Sequence, residues 1–404
     1  MSTRLEAWLE DRHAGQFVLG DGTVDFRYDP DAPDTPISLS LPRHGRATRR
    51  AAASFLDNLL PDHEAARARM ASAYGARSTS TADLLAKAGG DIAGGLVLVP
   101  EGEPAPAGPA LLNPALERDV AGRINAIKID PDSWAPQDVP ARFSLAGTQG
   151  KFALARVGDD WYWSNATVPS THIIKPGRPE LRGLEAAEAA ALTLAARAGV
   201  PAPAASVLHA EDQSAFMVER FDREPGPGPL ARRLHAEDLA QALGIRSESK
   251  YHVSARQVVA LLTTVDADGS LVRGFLVQLA FNTIVGNADA HAKNYSVLLR
   301  PDGVRLAPLY DVVPVGLYPQ FSQELAMPIA GARHPRAASP DHWRKLARTI
   351  GLDEDEAVTI ARGTAARVAE LNDTAWDNLD DDQAADLRQI VGRHAEAVAR
   401  LRPS

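Results

Sequence analysis

One polar loop, residues 287–294, constrains the fold of this chain more than any other segment. It reads Asn-Ala-Asp-Ala-His-Ala-Lys-Asn, with Asp289 near its start and Asn294 at its end, and a second acid, Asp311, follows downstream. The apolar run and the Pro301-Asp302-Gly303 turn between them are typical of a β-hairpin. Such a hairpin would return Asp311 to the side of Asn294. The alternative is a polar loop with an Asx turn and no chemistry.

The three side chains suit phosphoryl transfer. One carboxylate can accept the proton of a substrate hydroxyl, while an amide oxygen and a second carboxylate hold the Mg²⁺ that neutralises phosphates. Protein kinases place a base and a magnesium-binding Asn at this spacing, with a metal-binding Asp downstream. Asp289 is thus the candidate base, and Asn294 and Asp311 are the candidate Mg²⁺ ligands. A metal-ligand role for His291 is disfavoured, because no His or Cys lies at ligand spacing.

Composition limits the remaining possibilities. At 404 residues, with 45% hydrophobic and 24% charged residues, the chain is globular and long enough for several domains or one two-lobed enzyme. The absence of cysteine excludes disulfides and thiolate metal sites and fits a reducing cytoplasm. A net charge of -9 disfavours a free-standing nucleic-acid binder. No signal peptide or membrane-spanning stretch is visible, so we expect a soluble, cytoplasmic protein with no membrane partner.

Periodicity and turn residues predict a β-rich middle region followed by a mostly helical C-terminal half. The predicted strands are 16–19, 23–28, 37–41, 152–156, 161–163, 171–176 and 215–221. The predicted helices are 51–60, 80–88, 184–198, 272–284 and 384–401. Kinases are built in this order, although a fold class does not determine a function.

Three further segments suit a nucleotide. Residues 144–151, Ser-Leu-Ala-Gly-Thr-Gln-Gly-Lys, combine small residues with Lys151, which would let backbone N–H groups approach phosphates; an ordinary turn is the alternative. Lys175 ends a short apolar strand, as does the kinase lysine that binds the α- and β-phosphates and pairs with a helix Glu. The following helix supplies Glu185 and Glu188 as candidates, of which Glu188 is favoured. A surface lysine is the alternative there. Residues 218–222 follow an apolar strand and suit a hinge that meets adenine, or else an exposed ion pair.

On these motifs the chain resembles the HipA-type serine/threonine kinase toxins of bacterial toxin–antitoxin systems. The resemblance runs from Trp8 to at least Tyr318. The matching segments are 55–61, 89–91, 144–151, 171–176, 218–222, 235–238, 287–294 and 308–311. It implies an α+β, two-lobed protein-kinase-like fold with a β-rich N-terminal lobe and an all-helical C-terminal lobe. The implied domains are a family-specific N-terminal subdomain (1–110), an N-lobe core (111–230) and a helical C-lobe with the catalytic loop (231–404).

The resemblance also implies a role for each site residue. Asp289 would be the catalytic base, Asn294 and Asp311 would hold Mg²⁺, and Ser144 would be autophosphorylated, which displaces the loop because a dianion there repels ATP. The residues expected to contact ATP are Ala146, Gly147, Thr148, Gln149, Gly150, Lys151, Lys175, Glu219, Arg220, Phe221, His291, Lys293, Asn294, Tyr310 and Asp311. Gly150 departs from the family, in which Glu or Pro often precedes the lysine.

The family's partners are a protein substrate, for example an aminoacyl-tRNA synthetase whose phosphorylation halts translation and favours dormancy, and a helix-turn-helix antitoxin that binds operator DNA. Two alternatives stay open. A small-molecule kinase of the aminoglycoside phosphotransferase type shares the Asp…Asn…Asp set, although the Ser144 loop counts against it. A non-catalytic co-repressor scaffold is the other, and the intact set of catalytic-type residues counts against that.

Overall fold

The computed structural model describes residues 3–20, 22–44, 47, 50–104, 108–136 and 142–400. The strands are β1 Thr3–Leu9, β2 Arg12–Gly20, β3 Thr23–Tyr28, β4 Val97–Pro100, β5 Asn113–Pro114, β6 Phe152–Val157, β7 Asp160–Trp163, β8 His172–Pro176, β9 Ala205–Ala210, β10 Gln213–Glu219, β11 Arg223–Pro225, β12 Ala231–Arg233, β13 His235–Asp238, β14 Ser296–Arg300 and β15 Gly303–Leu306. The α-helices are α1 Ala51–Asp57, α2 Glu64–Tyr74, α3 Thr81–Ala88, α4 Glu117–Ile129, α5 Leu184–Arg197, α6 Leu239–Ala242, α7 Ala255–Thr263, α8 Ser270–Val285, α9 Pro340–Ile350, α10 Glu354–Leu371 and α11 Asp381–Ala399.

The chain forms two compact units, each built from three separate segments. Unit 1 contains the chain up to Gly177 together with Leu208–Ser249 and Val297–Arg305. Unit 2 contains Arg178–Val207, Lys250–Ser296 and the chain from Leu306 onward. The three consecutive domains expected from the sequence stay a prediction.

Unit 1 begins with a four-stranded sheet of order β3-β2-β1-β4. The predicted hairpin of β2 and β3 is confirmed, although Asp21 in its turn lies outside the described residues. Alternate side chains of β1 are buried, as expected for a sheet with one covered face. Phe17 packs against Phe26 and Phe55 there, and α1 and α3 cover the sheet.

The predicted strand 37–41 is wrong. This segment makes only an isolated bridge between Ser38 and Leu41. The Leu39 backbone N–H donates instead to Glu237 Oε1 at 2.8 Å, and Ser38 Oγ donates to the other oxygen of the same carboxyl group. A side chain from β13 therefore takes the place of a neighbouring strand, and no local pattern reveals that partner.

A second sheet of unit 1 has the order β5-β7-β6-β8-β10-β9. The predicted β6–β7 hairpin is confirmed, and the predicted strands 171–176 and 215–221 correspond to β8 and β10. These two strands are antiparallel, with Lys175 opposite Phe216. Helix α4 packs on both strands and so supports β8, which carries Lys175.

Unit 2 is mainly helical. Helix α8 is buried on nearly all sides and packs against α7, α10 and α11, while α10 also contacts α5 and α9. The predicted helices 184–198 and 272–284 are confirmed as α5 and α8. The helix predicted at 384–401 is α11, although its predicted end, Leu401, lies outside the described residues. Across the described residues, each helix is too short or too polar to cross a bilayer.

The expectation of an all-helical region after residue 230 is wrong, because that region also contains strands. β14 and β15 form a hairpin, with β13 beside β14. The buried run 297–299 and the turn at Gly303, whose φ is 134°, favour this hairpin locally. The all-helical expectation came from the family resemblance, whereas the sequence patterns predicted a mostly helical C-terminal half and a hairpin that returns Asp311 to Asn294. That hairpin is confirmed.

Candidate active site

The start of the loop 287–294 is anchored by the end of helix α8 and by the side chain of Asn287. Helix α8 ends at Val285 and is capped by Gly286, which adopts a left-handed conformation with φ 74° and so turns the chain out of the helix. The Asn287 side-chain amide then donates to Asn282 Oδ1 at 2.9 Å and to the Asp311 carbonyl oxygen at 3.1 Å. Asn287 thereby ties the loop both to α8 and to the segment that carries Asp311.

Asn294 and Asp311 meet, as the predicted hairpin requires. Asn294 Nδ2 donates to Asp311 Oδ2 at 2.7 Å. Asp311 has a φ of 57°, a strained conformation for a residue other than glycine, of the kind that clusters at functional sites. Asn294 Oδ1 is buried and has no hydrogen-bond partner among the described residues.

These two residues fit a magnesium ion. An unsatisfied buried amide oxygen is costly, and beside a carboxylate it is the kind of ligand that Mg²⁺ prefers. In the described part of the chain, no cluster of three or more His, Cys, Asp or Glu side chains is placed to bind a metal. Mg²⁺ sites of phosphotransferases need only one or two protein oxygens, because nucleotide phosphates and water complete them.

Asp289 is exposed and hydrogen-bonded. Tyr251 Oη donates to its Oδ1 at 2.7 Å. Although Asp289 is reached by solvent, the protein atoms around its carboxyl group displace much of the water there and so raise its pKa. The negative charge of Asp311 adds to that rise, while the Tyr251 hydrogen bond and the positive charge of Lys250 oppose it. A raised pKa makes a carboxylate a better proton acceptor, as general-base catalysis needs.

The other predicted residues of this loop lie close to Asp289 and Asn294. Tyr310 Oη donates to the Lys293 carbonyl oxygen at 2.7 Å and lies 2.6 Å from Ser296 Oγ, so Tyr310 holds the end of the loop. Lys293 and His291 are both buried. The His291 ring lies edge-on to Tyr251, with 4.9 Å between their centroids. Nucleotide contacts by these residues stay predictions.

In unit 1, Ser144 is 0% exposed. Its Oγ donates to the Leu59 carbonyl oxygen at 2.7 Å, and its backbone N–H donates to the Asp91 carbonyl oxygen at 3.0 Å. The start of the predicted phosphate loop is therefore hydrogen-bonded to the backbone of Leu59 and Asp91, and a phosphate could not be added while Ser144 stays there.

The rest of the predicted phosphate loop closes on itself. Lys151 Nζ donates to the Ala146 carbonyl oxygen at 2.9 Å, and Gly147 has a φ of 111° that favours glycine. Gln149 Nε2 donates to the Pro176 carbonyl oxygen at 3.3 Å, which joins the loop to the end of β8, while Thr148 is exposed. The loop is thus an ordered turn with its lysine folded over it.

Gly150 touches a neighbouring segment. A Cβ at this position would lie 2.6 Å from Ile127 Cγ2 and 2.7 Å from the Pro131 carbonyl oxygen. Ile127 is a buried residue of α4, and the same carbonyl accepts a hydrogen bond from the indole of Trp134 at 2.8 Å. A side chain such as the Glu or Pro often found in the family would therefore collide with Ile127 and Pro131 at position 150 of this chain.

Lys175 is buried in unit 1, with 6% of its surface exposed. Its Nζ lies 5.2 Å from the centroid of the Phe216 ring, its partner across the sheet. This burial argues against the alternative of an ordinary surface lysine. Glu188, its expected partner, is a buried residue of α5 in unit 2.

Of the hinge residues, Glu219 is exposed at the end of β10 and Phe221 is half-buried. Arg220 is different, because its buried guanidinium pairs with Asp222 at 2.7 Å and donates to Ser170 Oγ at 2.8 Å. The ion pair considered in the sequence is thus buried rather than exposed. The side chain of Arg220 serves the core, and a nucleotide contact by this residue would use its backbone.

Asp91 and Arg223 extend this buried network and were not identified as a pair from the sequence. Arg223 donates to Asp91 Oδ1 at 2.9 Å, and Asp91 is 0% exposed. Burial acts to raise the pKa of Asp91, but the nearby arginines outweigh it and hold that pKa below its ordinary value. The only signal was the 89–91 segment of the family resemblance. Tyr251, the partner of Asp289, was missed because no motif marks it.

Family models match most of the chain. A model described as the HipA-like C-terminal domain matches residues 143–371, and one described as the HipA N-terminal domain matches residues 5–99. "Putative kinase Y4mE" of Sinorhizobium fredii is 32% identical over 98% of this chain and 98% of its own length. "Serine/threonine-protein kinase toxin HipA" of Shewanella oneidensis is 30% identical, over 95% of this chain and 94% of its own length.

A solved structure has a similar fold. It is the Shewanella oneidensis complex of HipA, HipB and its operator DNA, with a TM-score of 0.83 and 28% sequence identity. The match covers 97% of this chain and 96% of that one. The mixed α/β architecture described above is therefore that of a kinase-like fold.

Proposed function

This chain belongs to the HipA family, and on that basis we propose that it is an ATP-dependent serine/threonine protein kinase that acts as the toxin of a toxin–antitoxin module. The observation that supports this most is the contact between Asn294 and Asp311, with a buried amide oxygen left unsatisfied beside a carboxylate. A polar loop without chemistry has no reason to retain that arrangement.

Asp289 is the proposed catalytic base. It would accept the proton of a serine or threonine hydroxyl as that oxygen bonds to the γ-phosphorus of ATP and ADP departs. Asn294 and Asp311 would hold Mg²⁺, which supplies positive charge to neutralise the phosphates. The Asn287 and Tyr310 hydrogen bonds would keep the loop in place during the reaction, since small displacements of reacting groups are costly.

ATP would contact several further residues. Ala146–Lys151 would cover its phosphates, Lys175 would bind them, and Glu219 and Phe221 would flank the adenine. The burial of Lys175 and the ordered, glycine-containing loop support these roles. The additional expected contacts are Arg220, His291, Lys293 and Tyr310.

Autophosphorylation at Ser144 would be an off switch. The site around Ser144 Oγ is fully buried and its neighbour there is a carbonyl oxygen, which repels a phosphate dianion. A modified Ser144 would therefore keep the loop away from its present position.

A protein substrate of the translation machinery, such as an aminoacyl-tRNA synthetase, is proposed from the family, as is a role in dormancy in the cytoplasm. The proposed antitoxin would be a helix-turn-helix protein bound to operator DNA, by analogy with the solved HipA complex.

Phosphate incorporation tests the assignment. With labelled ATP and Mg²⁺, we expect Asp289→Ala and Asp311→Asn to abolish phosphate transfer to protein while circular dichroism shows an unchanged fold. Asp302→Asn, an exposed acid in the β14–β15 turn, is the matched control and should retain activity. Undiminished incorporation by either active-site variant would contradict the proposal.

Absence of ATP consumption by the wild type would favour the non-catalytic scaffold. Phosphate transfer to an aminoglycoside without phosphate on Ser144 would favour a small-molecule kinase. Phosphoproteomics with wild type and Asp289→Ala side by side would identify the substrate.

A further inference from the structure

Tyr251 places a hydroxyl group on the proposed catalytic base. It belongs to the 3-10 helix Ser247–His252, and its Oη donates to Asp289 Oδ1 at 2.7 Å. Its ring also lies edge-on against His291. Tyr251 therefore contacts the loop 287–294 at two residues, and one of them is the base itself.

Packing alone does not explain this contact. Tyr251 is 49% exposed, so its ring gains only part of the hydrophobic stabilisation that a buried tyrosine would have. A phenol at the surface can also hydrogen-bond to water at little cost. The hydroxyl nevertheless donates to a carboxylate at a distance typical of a charge-assisted hydrogen bond.

A kinase base needs the acceptor hydroxyl within hydrogen-bond reach before it can take the proton. Tyr251 Oη already occupies such a position on Asp289. We propose, resting on the kinase function above, that Tyr251 is a specificity-determining residue that holds the place of the acceptor hydroxyl until a protein substrate displaces it. A docking protein substrate gains binding energy over a whole surface and can use it to move the half-exposed ring, whereas a single water molecule gains only the one hydrogen bond that it replaces. Tyr251 thus limits transfer of the γ-phosphoryl group to water, which would yield ADP and phosphate.

Tyr251→Phe tests this inference, because it removes only the hydroxyl and leaves room for a water molecule on Asp289. ADP release by the full chain with ATP and Mg²⁺, without added protein substrate, should rise at least ten-fold over the wild type. The double variant Tyr251→Phe/Asp289→Asn should return to background, because the gain depends on the base. Tyr162→Phe, which removes a hydroxyl from β7 in unit 1, should match the wild type.

Unchanged or slower ADP release by Tyr251→Phe overturns the inference, since a tyrosine that only orients the base would support turnover. Phosphotyrosine at position 251 of the wild type, found by mass spectrometry, also overturns it, because the hydroxyl would then be an acceptor itself. A wild type that never consumes ATP is a failure of the proposed kinase function. In that case thermal unfolding of the two single variants and the double variant tests the contact between Tyr251 and Asp289. Changes in the free energy of unfolding that do not add support the contact, and additive changes overturn it.

Discussion

Replacing Gly150 with alanine should displace the proposed phosphate loop, because the new methyl group would collide with the segments packed behind it. The new Cβ would lie 2.6 Å from Ile127 Cγ2 and 2.7 Å from the Pro131 carbonyl oxygen, where ordinary contacts are 3.4–4 Å. One of the two must move by about 1 Å, and neither moves easily, because Ile127 is buried and the carbonyl is held by Trp134. Overpacking of this kind costs about 1–3 kcal/mol, partly offset by about 0.4–1 kcal/mol from a stiffer unfolded chain.

We therefore expect Gly150→Ala to lower the free energy of unfolding by about 1–2 kcal/mol in urea denaturation. The KM for ATP should rise roughly ten-fold or more, since a loop displaced by about 1 Å binds phosphates poorly. Gly122→Ala is the matched control on α4, because nothing lies within 4 Å of its Cβ. It should stabilise the protein by about 0.5–1 kcal/mol through helix propensity. If Gly150→Ala proved as stable as Gly122→Ala with an unchanged KM, the packing argument would be refuted.

Three further predictions concern stability. Asp91→Asn should cost about 3–5 kcal/mol in urea denaturation, because it removes one of the two carboxylates that balance the buried charges of Arg220 and Arg223 and leaves only Asp222 to face them. Glu101→Gln, in an exposed pair, should cost less than about 1 kcal/mol, and equal losses would refute this. Burial raises the pKa of Glu237 from 4.5 to about 8, so the folded state favours its protonated form and stability should fall as pH rises from about 5 to 8, by at most about 1.4 kcal/mol per pH unit. Glu237→Gln should remove that dependence, and a persisting slope would exclude Glu237 as its source. ATP should raise the melting temperature more with Mg²⁺ than without it, because Asp289 and Asp311 otherwise repel the phosphates; equal shifts would contradict the proposed metal ligands.

Features governed by local chemistry were predictable from the sequence. Helix α5 follows from an alanine-rich run without glycine or proline, and the approach of Asp311 to Asn294 follows from the turn between them. The same reasoning failed where a partner is remote in the chain. Ser38 and Leu39 look like part of a strand but bind Glu237, about two hundred residues away.

Some residues of the candidate site could likewise be recognised in the sequence, whereas others depend on tertiary structure. Phosphoryl transfer would require the residue types found at Asp289, Asn294 and Lys175, so their spacing and order could be recognised in the sequence. Tyr251 has no such requirement, and its position on Asp289 depends on how the 3-10 helix packs. Arg220 was assigned to the nucleotide from its place in a motif, whereas its burial with Asp222 depends on tertiary structure.

The interleaving of the two units has a consequence for synthesis on the ribosome. Strand β14, which pairs with β13, emerges long after it, and Asp311 emerges later still. In a nascent chain, β13 therefore lacks its partner strand until residues 296–300 have been made. A truncated translation product ending before residue 311 would lack one of the two proposed magnesium ligands, so the proposed kinase activity requires synthesis past that residue.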